Sequence, residues 1–547
     1  MRKVLLFLTF GLCVLTAFAV PAKRERCLLM LADGSTIEAT RMGDEMIHFY
    51  VTDDGQYLQC DTMDIAHFVD AEEIHTRWHA KMTKRHNARI AKKAARSTPK
   101  WSMLNGAMTG SKRGLVILVQ FPDVPFYYTN ETFQRFFNEE GYHDNINIGS
   151  VRDYFLNASY GQFDFSFDII GPITMSQPLA YYGANNENGD DVHPAEMVIE
   201  AVNMIDDEVD FTQYDWDGDG KVEQIFIIHS GHDEAQSSRL NDIWSHAWTL
   251  TEAVDENDGD GPVTVDGVVI DSYATSSELR NRAGFNIAGV GTACHEFSHC
   301  FGLPDTYDTV GYNFGMSSWD IMDYGTYNGD GGTPAGFTSY ERMFCGWLQP
   351  KELTEPAIVW DMPALTSEPV AYILRNSGKY DEYYLLENRQ KEGWDGNLAG
   401  HGMLILHVDY DKQAWEENTV NNVRSHQRMT IIPADNMPYN FNLAGDPWPG
   451  TSGNTELSDI SIPAATLYNK NADGEMLMNH SISGITESKS GLISFVFDDD
   501  PTDLKDFKDL KDFRDLKDPI FNLAGQKTTN VNSPGIYILE GKKILKR

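Results

Sequence analysis

The chain is poor in cysteine and in basic side chains, and past its first residues it has no apolar run long enough to cross a bilayer. Of six cysteines in 547 residues, Cys13 lies in a leader-like start. The others, Cys27, Cys60, Cys294, Cys300 and Cys345, are too few and too scattered for a disulfide scaffold. Cys294 and Cys300 fall on different faces of one helix, so they should not pair with each other. They are expected to be small buried hydrophobes. Lys and Arg number 44 against 81 Asp and Glu, a net charge of −37. That excess argues against nucleic acid or an anionic membrane as partner. Met1-Arg2-Lys3, the apolar run Val4 to Leu15 and the small residues of Ala17-Phe18-Ala19 read as a secretory signal cleaved after about Ala19. An uncleaved anchor is the alternative. The mature chain is therefore expected to have no membrane span, and to be secreted, extracellular or at the cell surface.

What is present points to a metal. His295-Glu296-Phe297-Ser298-His299 places two imidazoles four residues apart, on one face of a helix. Such a pair suits zinc, and Glu296 between them suits the base that deprotonates a water activated by the metal. Gly302 permits a left-handed helix exit and Pro304 bars its continuation, so that Asp305 can return as third ligand. Before the helix lies Gly284 to Ala293, small and apolar. After it, Ser318-Trp319-Asp320-Ile321-Met322-Asp323-Tyr324-Gly325 is similar to the methionine turn of metzincins. A rival ligand set replaces Asp305 with Glu341, on a helix expected over 338–347. A second cation is expected at Asp215, Asp217, Asp219 and Glu223, where oxygen ligands alternate around Gly220 in a pattern suited to structural calcium. It is not an EF-hand, because the twelfth loop position is Phe226. His229, His232 and His246 are read as hydrogen-bonded structural groups, not zinc ligands.

These motifs, with Asp215 to Glu223, Ile227 to Gly231, Ile243 to His246, Leu386 to Arg389 and Leu406 to Tyr410, resemble the M6 family of secreted metallopeptidases over roughly positions 110–500. The resemblance implies a zinc-dependent endopeptidase acting on proteins or peptides, with Zn2+ on His295, His299 and Asp305 and with Glu296 as general base. The Asp in place of a third metzincin His lowers the zinc's net charge. By analogy with astacin-like metzincins, Tyr324 is a candidate oxyanion donor. The expected fold is an α/β zincin, metzincin-like catalytic domain, preceded by a small propeptide and followed by an all-β domain. The expected limits are a signal peptide at 1–19, a propeptide at 20–110, the catalytic domain at 111–350 and a β-sandwich-like domain at 351–498. A charged period-six repeat linker at 499–518 and a sorting-like tail at 519–547 follow.

Within the propeptide, hydrophobic runs at Cys27–Leu31 and Met46–Val51 separated by Asp-Gly turns read as hairpins, and 76–96 as a basic helical connector. Cys60 or Cys27 either blocks the zinc as a thiolate, or pairs with the other, or is simply buried. In the catalytic part, Leu115–Phe121, Phe163–Ile170 and Val222–Ile228 read as strands, and 151–160 and Pro194–Ile205 as helices. The alternative function is a secreted binding protein or adhesin on a zincin scaffold. Against it stands the intact Glu296, which a scaffold does not need. Substrate preference and oligomeric state are not encoded in any motif.

Overall fold

The computed structural model describes residues 18–498 apart from 45–46, 62–64, 93–107, 187–189, 255–257, 309–312 and 439–441, and a few strands beyond 504. The leader expected at 1–19 lies outside the described residues up to position 17. Residues Phe18–Ala19 form strand β1. Five strands follow: β2 (Arg26–Leu31), β3 (Thr36–Gly43), β4 (His48–Val51), β5 (Tyr57–Cys60) and β6 (Ile65–Val69). The expected hairpins are present, but they close into a barrel, because β6 pairs in parallel with β2 at Met30–Leu31 and Ile65–Ala66. Leu29, Ala39, Tyr50, Leu58 and Ala66 fill it, with Cys27 and Cys60 packed against them and neither in a disulfide. The basic helix runs Ala71–Lys92, its start marked by the Asp70 carboxylate accepting from the Glu72 N–H.

The central sheet takes β7 (Gly110–Gln120), β8 (Phe163–Thr174), β9 (Ile225–His232), β10 (His246–Thr249) and β13 (Ser272–Leu279), with a β11–β12 hairpin (Val263–Val265, Val268–Ile270) beside it. Its order is β1-β10-β13-β9-β7-β8. Strands β8, β7, β9 and β13 are parallel, whereas β10 runs antiparallel to β13 and β1 antiparallel to β10. The unbroken apolar run of β7 follows from burial on both faces. Leu115, Ile117 and Val119 join a core with the helix Pro194–Ile205. Val116 and Leu118 join the other, with the helices Asn130–Asn138, Val151–Ala158 and Val290–Cys300.

Beyond 350, β14 (Lys351–Glu352), β16 (Tyr372–Asn376), β17 (Lys379–Arg389), β18 (Gly402–Asp409) and β19 (Met429–Ile431) form one sheet. A second contains β15 (Ala357–Met362), β20 (Ile482–Glu487) and β21 (Ile493–Phe497). Along β17, Tyr384 and Leu386 point into the layer between these sheets, while Tyr383 and Leu385 point into the core that holds the helix Val290–Cys300. The first sheet is thus a wall of the same core, and position 350 falls within continuous packing. In the tail, Gly535–Leu539 pairs with Lys542–Lys546 as a terminal hairpin; most of the 503–518 repeat lies outside the described residues.

One buried contact across that wall gives a pH test. The Trp319 indole N–H donates to Asp446 Oδ2 at 2.8 Å, and burial pushes this carboxyl up to about 8. Its unfolded value is near 3.9. The folded state therefore holds the proton longer, and stability falls as pH rises from about 4 towards 8. Asp446→Asn keeps the hydrogen bond without the charge. Its melting temperature should match wild type below about pH 4 and exceed it increasingly as pH rises towards 8; parallel pH profiles would contradict this.

Candidate active site

The helix Val290–Cys300 divides its faces by chemistry. Ala293, Cys294 and Phe297 join the core; the Phe297 ring stacks on Phe226 at 4.5 Å and touches Phe165 and Phe167. The small residues before it have a steric reason. A Cβ on Gly291 would lie 2.1 Å from the Thr326 carbonyl oxygen, so only glycine lets the chain after the methionine turn lie against the helix start. Gly302, at φ +90, makes the expected left-handed exit.

His295, His299 and Asp305 converge. The two Nε2 atoms are 3.2 Å apart, and Asp305 Oδ1 is 3.2 Å from the first and 3.5 Å from the second. All three residues are buried, and Asp305 Oδ1 accepts no hydrogen bond. Three donors around zinc at 2.0–2.1 Å in tetrahedral array stand about 3.3 Å from one another. The observed triangle has that size, so the residues fit zinc. His295 Nδ1 faces the Ile321 carbonyl oxygen at 2.7 Å and His299 Nδ1 that of Leu303 at 2.8 Å. Donation there directs each Nε2 lone pair inward. Burial pushes His299 down to about 3, which keeps the imidazole neutral, as a ligand must be. Glu296 also offers an oxygen within 4.8 Å of both imidazoles, but one of its oxygens has another partner, below. Glu341, the rival ligand, accepts from the Thr338 N–H in a capping box at the start of the helix Ser339–Phe344.

Around the methionine-turn motif, Met322 is fully buried, its carbonyl accepts from the Thr306 N–H, and the Ile321 carbonyl faces His295 Nδ1. Sequence reasoning missed the residue that holds Asp305, the expected carboxylate ligand. Asn418 accepts from the Asp305 N–H at 2.7 Å and donates to Asp305 Oδ2 at 2.6 Å, leaving Oδ1 for the histidines. Asn421 donates to the Thr306 carbonyl beside it.

The cleft beside these groups is filled by the chain's own residues. β1 lies antiparallel on β10, with Ala19 opposite His246. The Val20 N–H donates to Glu296 Oε1 at 3.1 Å. The Tyr307 hydroxyl donates to the Ala19 carbonyl at 2.6 Å, the Trp244 indole to that of Val20 at 3.1 Å, and the Tyr327 hydroxyl to that of Pro21 at 2.8 Å. Further on, the Lys23 N–H donates to the Ala235 carbonyl. Ala19, Val20 and Ala22 are fully buried with Ala235 and Trp244. Neither Cys27 nor Cys60 supplies the plug; both belong to the barrel. Tyr324, the expected oxyanion donor, lies under the Arg24 guanidinium at 3.6 Å, and the hydroxyl on the Ala19 carbonyl is that of Tyr307.

Residues 103–349 match the family described as immune inhibitor A peptidase M6, catalytic domain. This segment resembles the M6 peptidases. Immune inhibitor A of Bacillus thuringiensis subsp. alesti is 27% identical over 299 residues, 46% of this chain and 42% of the relative. The pre-pro-metalloprotease PrtV of Vibrio cholerae serotype O1 is 27% identical over 274 residues, 42% of this chain and 29% of the relative. The matches thus span less than half of either relative. The M6 match ends before Asn418, so the residue that clamps Asp305 lies outside it.

In this M6-like segment the acidic loop brings together carboxylate oxygens of Asp215, Asp217 and Glu223, within 4.8 Å of one another. Asp219 is not in that group; its carboxylate accepts from the Lys221 N–H. Burial, reinforced by Asp217 and Asp215, pushes Glu223 up to about 8. His229 is buried and neutral, pushed down to about 4 by burial, and His246 sits between the Trp244 carbonyl and the Tyr273 hydroxyl. Each places its Nδ1 on a backbone carbonyl, that of Ser230 for His229 and of Trp244 for His246.

The roles of clamp and base separate in experiment. Asn418→Ala should weaken zinc binding about 10- to 100-fold, the usual cost of losing a group that orients a ligand. Glu296→Gln should keep stoichiometric zinc. Competition with a chromogenic chelator measures both. Unchanged affinity in the first variant, or lost metal in the second, would reverse the assignments.

Proposed function

We propose that the chain is an exported, zinc-dependent endopeptidase of the M6 type, with a metzincin-like catalytic domain, made as a latent zymogen. The observation that carries this reading is the triangle of His295, His299 and Asp305 beside Glu296, in a cleft already holding extended peptide. Zinc held by the three ligands would supply Lewis acidity for the water and the peptide carbonyl. Glu296 takes a proton from the water. The water's oxygen bonds to the carbonyl carbon, the C–N bond breaks, and Glu296 returns the proton to the leaving amine. With β1 removed, β10 is the edge strand and offers itself to extended substrate, so recognition is mainly through backbone.

Latency follows from what occupies that edge. Residues 19–23 cover Glu296, and the barrel and helix up to Lys92 anchor them. A chain starting at Val20 should be nearly inactive on a fluorogenic peptide. The same chain, cut by an inserted protease site within 93–107 and freed of its N-terminal fragment, should gain at least about 100-fold, the scale on which loss of a covering segment with micromolar effective binding is felt. Equal activity, with the long form shown intact by mass, would sink the zymogen reading and make residues 20–110 an accessory domain.

Calcium at Asp215, Asp217 and Glu223 is proposed as a structural ion. The loop is tied to β7, since the Trp216 indole donates to the Arg113 carbonyl and Lys112 donates to the Trp216 carbonyl. An ion bound only to the folded state stabilises by about 2.7 kcal/mol at a hundred times its Kd. Thermal melting should rise with calcium, and Asp217→Ala should flatten the rise. The same response in both proteins would place the ion elsewhere.

A further inference from the structure

We infer that the Ala19–Val20 peptide occupies the scissile position of the cleft, so that Tyr307 receives the substrate's scissile carbonyl and the Trp244 wall receives a small aliphatic side chain just after the cut. This rests on the peptidase reading and sharpens it to a register and a substrate class. Two contacts fix the register. In hydrolysis the general base delivers its proton to the leaving nitrogen. The nitrogen within reach of Glu296 is that of Val20, at 3.1 Å. The carbonyl of the same peptide belongs to Ala19, and the Tyr307 hydroxyl donates to it at 2.6 Å. One peptide unit is thus gripped from both sides by groups that a hydrolase needs, a carboxylate at the nitrogen and a donor at the oxygen. A donor there strengthens its bond as negative charge grows on that oxygen.

The same register assigns the neighbouring site. Val20 is fully buried in a small apolar cluster with Ala22, Ala235 and Trp244, against which Tyr327 packs. The Trp244 indole and the Tyr327 hydroxyl hold the next two carbonyls and so fix the depth at which the Val20 side chain sits. Ala19, before the cut, is also fully buried. Peptides with a small residue before the cut and valine or alanine after it fit this space; large or charged side chains after the cut do not. In the balanced reaction water adds across the bond: its oxygen goes to the carbonyl carbon, one proton passes through Glu296 to the amine, and no other reactant is needed. A leader cut after Ala19 would leave Val20 to Lys23 in place as the product half of such a substrate.

The test uses the whole chain, zinc-loaded, activated by cutting the inserted site within 93–107 and freed of the N-terminal fragment. It is given a peptide library of whole-proteome origin, and new termini are read by mass spectrometry. Valine and alanine should dominate the position after the cut. On one such peptide, Tyr307→Phe should lower kcat about 100-fold with KM nearly unchanged, the scale of one lost oxyanion donor, while Tyr324→Phe stays within about threefold. Cleavage that favours large or charged residues after the cut would overturn the register and leave the peptidase reading standing. So would a kcat loss in Tyr324→Phe but not in Tyr307→Phe, with melting temperatures matched. No cleavage by the zinc-loaded wild type would overturn the peptidase reading, and this inference with it.

Discussion

Three buried ligand-type atoms, two imidazole nitrogens and one carboxylate oxygen, stand within 3.5 Å of one another in this protein, and the rest of the structure is arranged to hold them there. A carboxylate oxygen without a hydrogen bond, facing two imidazole lone pairs, is expensive to bury. The arrangement becomes favourable when a cation sits among them, because metal binding returns the cost as folding free energy. Each proposed ligand is held from behind: His295 by the methionine turn, His299 by the helix exit at Leu303, Asp305 by Asn418. Phe297 seats the helix on the aromatic core, and Gly291 lets the turn approach it.

That arrangement ties distant parts of the chain together. The first β-sheet after 350 is a wall of the core that carries the helix Val290–Cys300, and it brings with it the segment bearing Asn418 and Asn421. At the other end, β1 completes the edge of the central sheet and lays Val20 on Glu296, the proposed general base. An open edge strand pairs with whatever extended peptide is offered. Here the chain offers its own, which protects the edge and covers the chemistry with the same few residues.

The site's centre was legible in the sequence because its logic is local. His295 and His299 are one helical turn apart, Gly302 and Asp305 follow at once, and β7 announces itself by five consecutive apolar residues from Leu115 to Val119. The helix Pro194–Ile205 was read to the residue from its apolar face. What stayed hidden depends on long-range contact. Asn418 lies 113 residues from Asp305 and carries no motif of its own. Tyr307 looked like one aromatic among many until the Ala19 carbonyl was found on its hydroxyl. Residues 17–19 read as a leader cleavage site, a pattern that says nothing of strand pairing with β10. Barrel closure by β2 and β6 needed a parallel pairing that no turn signal marks. Asp219 fitted the alternating acidic pattern, yet its carboxylate turns back on its own loop.

Two imidazoles and one carboxylate meeting at a single ion are the central proposal for this site, and X-ray absorption at the zinc edge reads that set directly. The zinc-loaded chain beginning at Val20 should show only nitrogen and oxygen neighbours at about 2.0–2.1 Å, with imidazole multiple scattering that fits two rings. The Asp305→Ala chain should lose one light neighbour and keep both rings. A sulfur neighbour near 2.3 Å would make a cysteine thiolate the latch, and a third imidazole would move the ligand set elsewhere; either result would contradict the account.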